Sequence, residues 1–225
     1  MHYAHVVLID PKDLGEQFAE EDIKAKVEQM MIPFDENIEV EPYHDYFSAK
    51  DVASMTQYYG THDLVGLATR MEDWTDCLGG VDKKGLYKIS TYNPKAKWDW
   101  WRIGGRWDGM VSNQPKESEG GFNWSNAHEQ LPGNVVLLKT IDHELTCHSI
   151  ITPDGAWHEC VAVYQTDWQE PFQAAYNQLT DEQRAVNQVA WGEENRRLKA
   201  EWFAEKRDIL AKYGHCLAVG VDYHM

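Results

Sequence analysis

Apolar positions change period several times along the chain, and each change marks an element. Tyr3 to Ile9 is branched and aromatic, which suits a pleated strand, and Asp10-Pro11 ends it because proline cannot continue a ladder. Ile23, Val27, Met30 and Met31 then recur at helical spacing, with acidic residues in the first turn and Pro33 past the end, so 21–32 is predicted as a helix. Phe34 to Tyr46 keeps no steady period and reads as loop or edge strand. Ser48 opens an S-x-x-D capping box ahead of Val52, Met55 and Tyr59, and Gly60 closes that short helix. Leu64, Leu67, Ala68 and Met71 share one face of the next helix, which Gly79-Gly80 is expected to stop.

Leu86 to Thr91 alternates as a strand does and runs straight into a tryptophan-rich stretch. Residues 112–133 hold turn formers and charges without period and read as a long surface loop. Val135 to Lys139 suits a short central strand. Ser149–Thr152 and Trp157–Tyr164 flank Pro153-Asp154-Gly155, a hairpin turn in which proline sets the first dihedral and glycine accepts the positive one. Thr180 with Gln183 makes a second capping box. Val186, Ala190, Leu198, Trp202, Phe203, Ile209, Leu210 and Tyr213 then form an apolar stripe, with Gly192 expected to kink or divide the helix and Gly214 to cap it. Cys216 to Asp222 is a last strand ending at His224 and Met225, apolar enough to be tucked into a sheet. The predicted class is α+β: an antiparallel or mixed sheet covered by helices, with a long C-terminal helical segment. One globular domain over 1–225 is expected, with a helical excursion at about 168–213.

Charge narrows the function. The formal net charge of −16 argues against general affinity for nucleic acid or an anionic membrane. No basic leader precedes the first strand and no apolar run approaches ~20 residues, so a soluble cytoplasmic protein is expected. Cys77, Cys147, Cys160 and Cys216 lack CxxC spacing, which predicts free buried thiols rather than a disulfide or zinc framework. No cofactor motif is present: GxSxG, the Walker loop and the Rossmann glycines are all missing.

The densest chemistry lies between Tyr92 and Gly109. Trp98, Trp100, Trp101 and Trp107 offer an aromatic wall beside Asp99, and Lys95, Lys97, Arg102 and Arg106 offer cations. Gly104 and Gly105 can bend the main chain or bring its N–H groups to a ligand, while Asn93 has the donors and acceptor to read a base edge. Such a set can clamp an anion and stack a base, Trp and Arg being the usual anchors of binding sites. The plain alternative is a strand, a glycine turn and packed indoles. Histidines supply a second chemistry. His143, His148 and His158 lie near Asp142, Glu144 and Glu159, and Asp222 with His224 forms a D-x-H whose side chains share a strand face. His158 or His224 is the candidate general acid or base, oriented by Asp222 or Asp99. HExxH and H-x-H are absent, so no metal is indicated.

Four segments, PFDENIEVEPY (33–43), YNPKAKWDWWRIGGRW (92–107), TPDGAWHE (152–159) and VDYHM (221–225), together resemble a family of bacteriophage and prophage proteins without an established activity. Members of that family tend to end in Asp-Cys-His-Ile, whereas this chain has Asp222, Tyr223, His224 and Met225, so a role for a thiol there does not carry over. It implies a phage accessory setting, in which small proteins bind or degrade nucleotide signals, mimic DNA or block a host enzyme. The leading expectation is binding of a small phosphorylated ligand, a nucleotide or cyclic-nucleotide signal, by sequestration or cleavage. The alternatives are an acidic DNA mimic or host-protein inhibitor, and a histidine-dependent phosphodiesterase.

Overall fold

The computed structural model describes residues 1–75, 78–112, 133–141, 143–162 and 180–225, with the side chains of 71–75 and Val186 excepted. Cys77, Asp142, most of the predicted 112–133 loop, the end of the strand at Tyr164 and the start of the helical excursion lie outside them. The chain forms two compact units, Met1–Ile32 with Trp98–Met225, and Pro33–Lys97.

The first unit is built on β1 (His2–Ile9), α1 (Glu20–Met31), β5 (Trp100–Ile103), β6 (Val135–Leu137), β7 (Ser149–Ile151), β8 (Trp157–Glu159), a helix α4 (Asp181–Lys212) and β9 (Leu217–His224). Its six-stranded mixed sheet runs β5-β9-β1-β7-β8, with β6 also on β9. β1 and β9 pair antiparallel along their whole length, His2 opposite His224 and Ile9 opposite Leu217, while β1 lies parallel to β7. Both are buried on both faces almost throughout, which is why they read as apolar runs rather than alternating ones. Ala4, Val6, Leu8, Ile150 and Ala218 pack in one cluster with Trp202 and Ile209 of α4. Helix α1 packs on β1 and buries the four residues its spacing named.

Helix α4 is a single helix of 32 residues that runs through Gly192 without division, and its C-cap is Tyr213 rather than Gly214. Its buried positions are Asn195, Trp202, Lys206 and Ile209, whereas Phe203 is half exposed and Ala190 faces out. The stripe therefore begins later than the apolar residues suggest, and it includes a lysine. Lys206 keeps its charge satisfied by donating from Nζ to the Leu145 carbonyl at 2.7 Å, its stem lying in the core. Val135–Leu137 pairs only with β9, so the strand expected to be central lies beside β5 at the sheet's edge. The Pro-Asp-Gly hairpin forms as predicted, with Gly155 at φ 79° and Thr152 N–H donating to Ala156.

The second unit holds β2 (Tyr43–Tyr46), α2 (Ala49–Tyr59), α3 (Leu64–Thr75), β3 (Gly79–Asp82) and β4 (Gly85–Ser90). Its sheet is ordered β2-β4-β3, and Leu67, Ala68 and Leu86 form its core with Val52, Met55 and Val81. The Ser48–Asp51 capping box and the left-handed Gly60 cap of α2 are both present. Gly79 and Gly80, expected to stop a helix, open β3, and Gly80 is what lets Tyr87 pass: a Cβ there would meet the phenol at 2.7 Å. The strand leading to the tryptophans, β4, thus belongs to a different sheet from β5.

Candidate functional site

Cross-strand register assembles a grid on one face of the larger sheet. Trp100, His224 and His2 stand in one row across β5, β9 and β1, and Arg102, Asp222 and Ala4 stand in the next. Trp101 and Ile103 point to the opposite face with Tyr223 and Val221, as strand alternation requires. The rings of the first row lean together: His2 is 5.1 Å from His224 and 5.8 Å from Trp100, both edge-on.

Each histidine is held by an aspartate. His2 Nδ1 lies 3.0 Å from Asp222 Oδ1, and His224 Nδ1 lies 2.8 and 3.0 Å from the two oxygens of Asp99. A carboxylate can only accept, so in both rings Nδ1 carries the hydrogen and Nε2 presents the lone pair of the neutral form. The pairs differ in depth. Asp222 is fully buried and His2 is 11% exposed, whereas His224 and Asp99 are 39% and 37% exposed. The deeper pair is an anchor and the shallower one meets solvent.

The glycine pair explains how Asp222 is kept there. Gly104 and Gly105 take φ of 76° and 58°, and the turn they make aims the Arg106 N–H at Asp222 Oδ2, 3.0 Å away. A Cβ on Gly105 would sit 2.5 Å from Asp222 Cβ and 2.6 Å from Oδ2. One on Gly104 would meet the Asn134 amide at 2.7 Å, and that amide itself accepts from Gly109 N–H and donates to Asp108. The amides expected to cradle a ligand serve the protein: Gly104 N–H goes to Gly220 and Trp107 N–H to Gly104. The anion in the cradle is Asp222.

Arg102 is left in a different state. Its guanidinium lies over the Trp100 ring at 5.1 Å, and it makes no hydrogen bond or ion pair among the described residues, with Nε buried and unpartnered. Its cross-strand neighbour Asp222 is already held by His2 and Arg106. A partly buried guanidinium stacked on an indole, with its hydrogen-bond donors unmatched, is suited to a planar or tetrahedral oxyanion from outside.

The opposite face carries a sealed counterpart. His5 is fully buried, its Nδ1 lies 2.7 Å from Ser149 Oγ, and Ser149 in turn reaches the Tyr223 hydroxyl at 3.4 Å. Trp157 stacks on the imidazole at 4.5 Å, and Nε2 is buried without a partner. Burial, aided by the nearby His148, pushes the His5 pKa down to about 3, so this ring stays neutral. Burial also pushes the Cys147 thiol up to about 12, and Cys147, Cys160 and Cys216 are all buried and free. They are core residues without nucleophilic character.

Of the residues singled out in the sequence, Asp99, Arg102, Asp222 and His224 come together, with the Gly104–Gly105–Arg106 main chain behind them. Trp98 is buried, donating from Nε1 to the Met31 carbonyl at 3.1 Å and packing edge-on with Trp101. Arg106 and Trp107 are exposed at the turn. His158 is elsewhere, on β8 at the far edge of the sheet, 2.7 Å from Glu205 of α4. Asn93, Lys95 and Lys97 belong to the second unit. The Asn93 amide donates there to the carbonyls of Pro33 and Asp35 and accepts from Lys95 N–H, which gives it a loop-fixing role. One member of the grid, His2, was not singled out. Trp100 shares a face with Arg102 by simple alternation, but only the pairing of β1 with β9 brings His2 in.

The fold and the grid define an α+β protein with a histidine–aspartate cluster at one end of a mixed sheet. No family model, no curated protein and no solved structure matches the chain, so the site is read from its own geometry. No group of three or more His, Cys, Asp or Glu side chains among the described residues is placed to hold a metal ion, and none of their helices is long and apolar enough to cross a membrane.

Proposed function

We propose that the protein binds a small phosphorylated ligand, a nucleotide or cyclic-nucleotide signal, at the end of the sheet formed by Trp100, Arg102, His2 and His224. The observation that carries this reading is Arg102, whose donors meet no protein acceptor among the described residues while its plane rests on Trp100. Phosphate oxygens supply the missing acceptors, and exposed indole such as Trp107 supplies a surface for a base. Arg102 and Arg106 were both expected to hold the anion; Arg106 gives its main-chain N–H to Asp222, and Arg102, four residues earlier, is the one that lies over Trp100. In a phage-type accessory setting such a protein sequesters or destroys a host signal. The net charge of −16 favours a second reading, an acidic inhibitor of a DNA-binding host protein. A salt-sensitive pull-down competed by DNA supports that alternative.

Calorimetric titration with a panel of mononucleotides and linear and cyclic dinucleotides tests the leading proposal. Wild type is expected to bind at least one of them, and Arg102→Met, which keeps the stem and removes the fork, to weaken that binding about tenfold or more at unchanged melting temperature. Absence of binding across the panel, or equal binding by the variant, overturns it.

A further inference from the structure

We infer that this site cleaves its ligand, acting as a metal-independent phosphodiesterase on dinucleotides with His224 as general base and His2 as general acid. The inference rests on the binding reading above and adds a reaction to it. In-line displacement at phosphorus places the attacking and leaving oxygens on opposite sides of the phosphoryl group, so one imidazole cannot serve both. Two are needed, close together, each with the same ring nitrogen left for the reaction. The grid supplies that arrangement: ring centroids 5.1 Å apart, planes at 64°, and both Nδ1 atoms fixed on aspartates so that both rings offer Nε2 to the reaction. An imidazole held by a carboxylate through Nδ1 is the arrangement that stabilises the imidazolium formed during proton transfer. His2 makes further contacts besides these.

The division of roles follows from depth. His224, 39% exposed, meets the water; His2, 11% exposed and anchored on the buried Asp222, meets the leaving group. Water attacks phosphorus as its proton passes to His224 Nε2. The bond from phosphorus to the leaving ribose oxygen breaks, and that oxygen takes the proton from His2 Nε2. One water is consumed, and the products are a phosphomonoester and a free hydroxyl; exchange with solvent removes the proton gained by His224 and replaces the one given up by His2. Arg102, stacked on Trp100, holds the nonbridging oxygens as their charge grows.

Chromatographic product analysis with linear and cyclic diadenylate in the presence of EDTA, run beside calorimetric titration of the same samples, tests this. Wild type is expected to release the hydrolysed nucleotide. His224→Asn, which keeps a donor toward Asp99 but lacks Nε2, should lose about 10²-fold or more in kcat with Kd changed less than about threefold. His2→Asn should behave likewise, and His158→Asn should keep full turnover. Each variant is first checked for a cooperative melt; should His2→Asn fail to fold, His224→Asn and the wild-type product decide alone. Diadenylate that binds and is recovered intact overturns the cleavage while leaving the binding reading in place. Diadenylate that does not bind overturns both for this ligand class, and turnover that EDTA abolishes overturns the two-imidazole mechanism.

Discussion

Strand β1 carries one histidine toward each face of the sheet, and the two ends of that comparison could hardly differ more in what they allow. His2 faces a carboxylate, lies near solvent and touches a second histidine that repeats the same pairing. His5, three residues on, faces a hydroxyl, is sealed under Trp157 and is held neutral with its pKa down at about 3. Both rings have a fixed Nδ1. What separates a proton-transfer group from a packed aromatic is the charge of the partner and access for water to the other nitrogen.

Removing each anchor sharpens the contrast. Asp222→Ala leaves the His2 Nδ1–H and the Arg106 N–H without an acceptor at a fully buried position, and should cost about 3–4 kcal/mol in urea unfolding. Gly105→Ala comes next, at about 3 kcal/mol. It combines a left-handed φ, worth about 1–2 kcal/mol by itself, with a Cβ driven into the same carboxylate. Acid acts on the other face. His5 binds a proton at about pH 6.5 when unfolded but only near pH 3 when folded, so its contribution is complete above about pH 6.5 and is lost as pH falls toward 3. Stability should drop by about 2 kcal/mol between pH 6.5 and 5 from this group, and His5→Phe should flatten that slope. Ser149→Ala, which removes a neutral anchor, should cost only about 1 kcal/mol. If Ser149→Ala proved as damaging as Asp222→Ala, the distinction between the two faces would fail.

Much of this was legible in the sequence because it is local. The helix at Glu20–Met31, the capping boxes at Ser48 and Thr180 and the Pro-Asp-Gly hairpin depend on residues a few positions apart, and all of them form. Asp222 and His224 share a face for the same reason. His2 was out of reach because it enters the site through pairing with a strand more than two hundred residues away, which no spacing records. The Gly-Gly-Arg turn was readable as a cradle for an anionic ligand; in the structure its Arg106 N–H donates to Asp222. Sequence does not say whether the anion comes from a ligand or from the chain's own Asp222, since both accept the same N–H groups. His158 and His224 are equivalent by residue type; the topology puts β8 and β9 on opposite sides of β1. Phe203 and Lys206 likewise exchange the places their polarity suggests, because Lys206 falls in line with the buried Trp202 and Ile209 and a backbone carbonyl waits for it.

The central claim is that His2 and His224, the aspartate-anchored histidines at the β5 end of the sheet, form the binding face, and that the sealed His5 does not. Imidazole ¹⁵N–¹H correlation spectra recorded during titration with linear diadenylate, on a chain labelled at histidine, test it most directly. The account predicts that the signals of His2 and His224 move together and saturably while those of His5 and His158 stay in place, and that Arg102→Met suppresses the movement. Unmoved His2 and His224 signals at saturating diadenylate, or a response centred on His5 or His158, would contradict it.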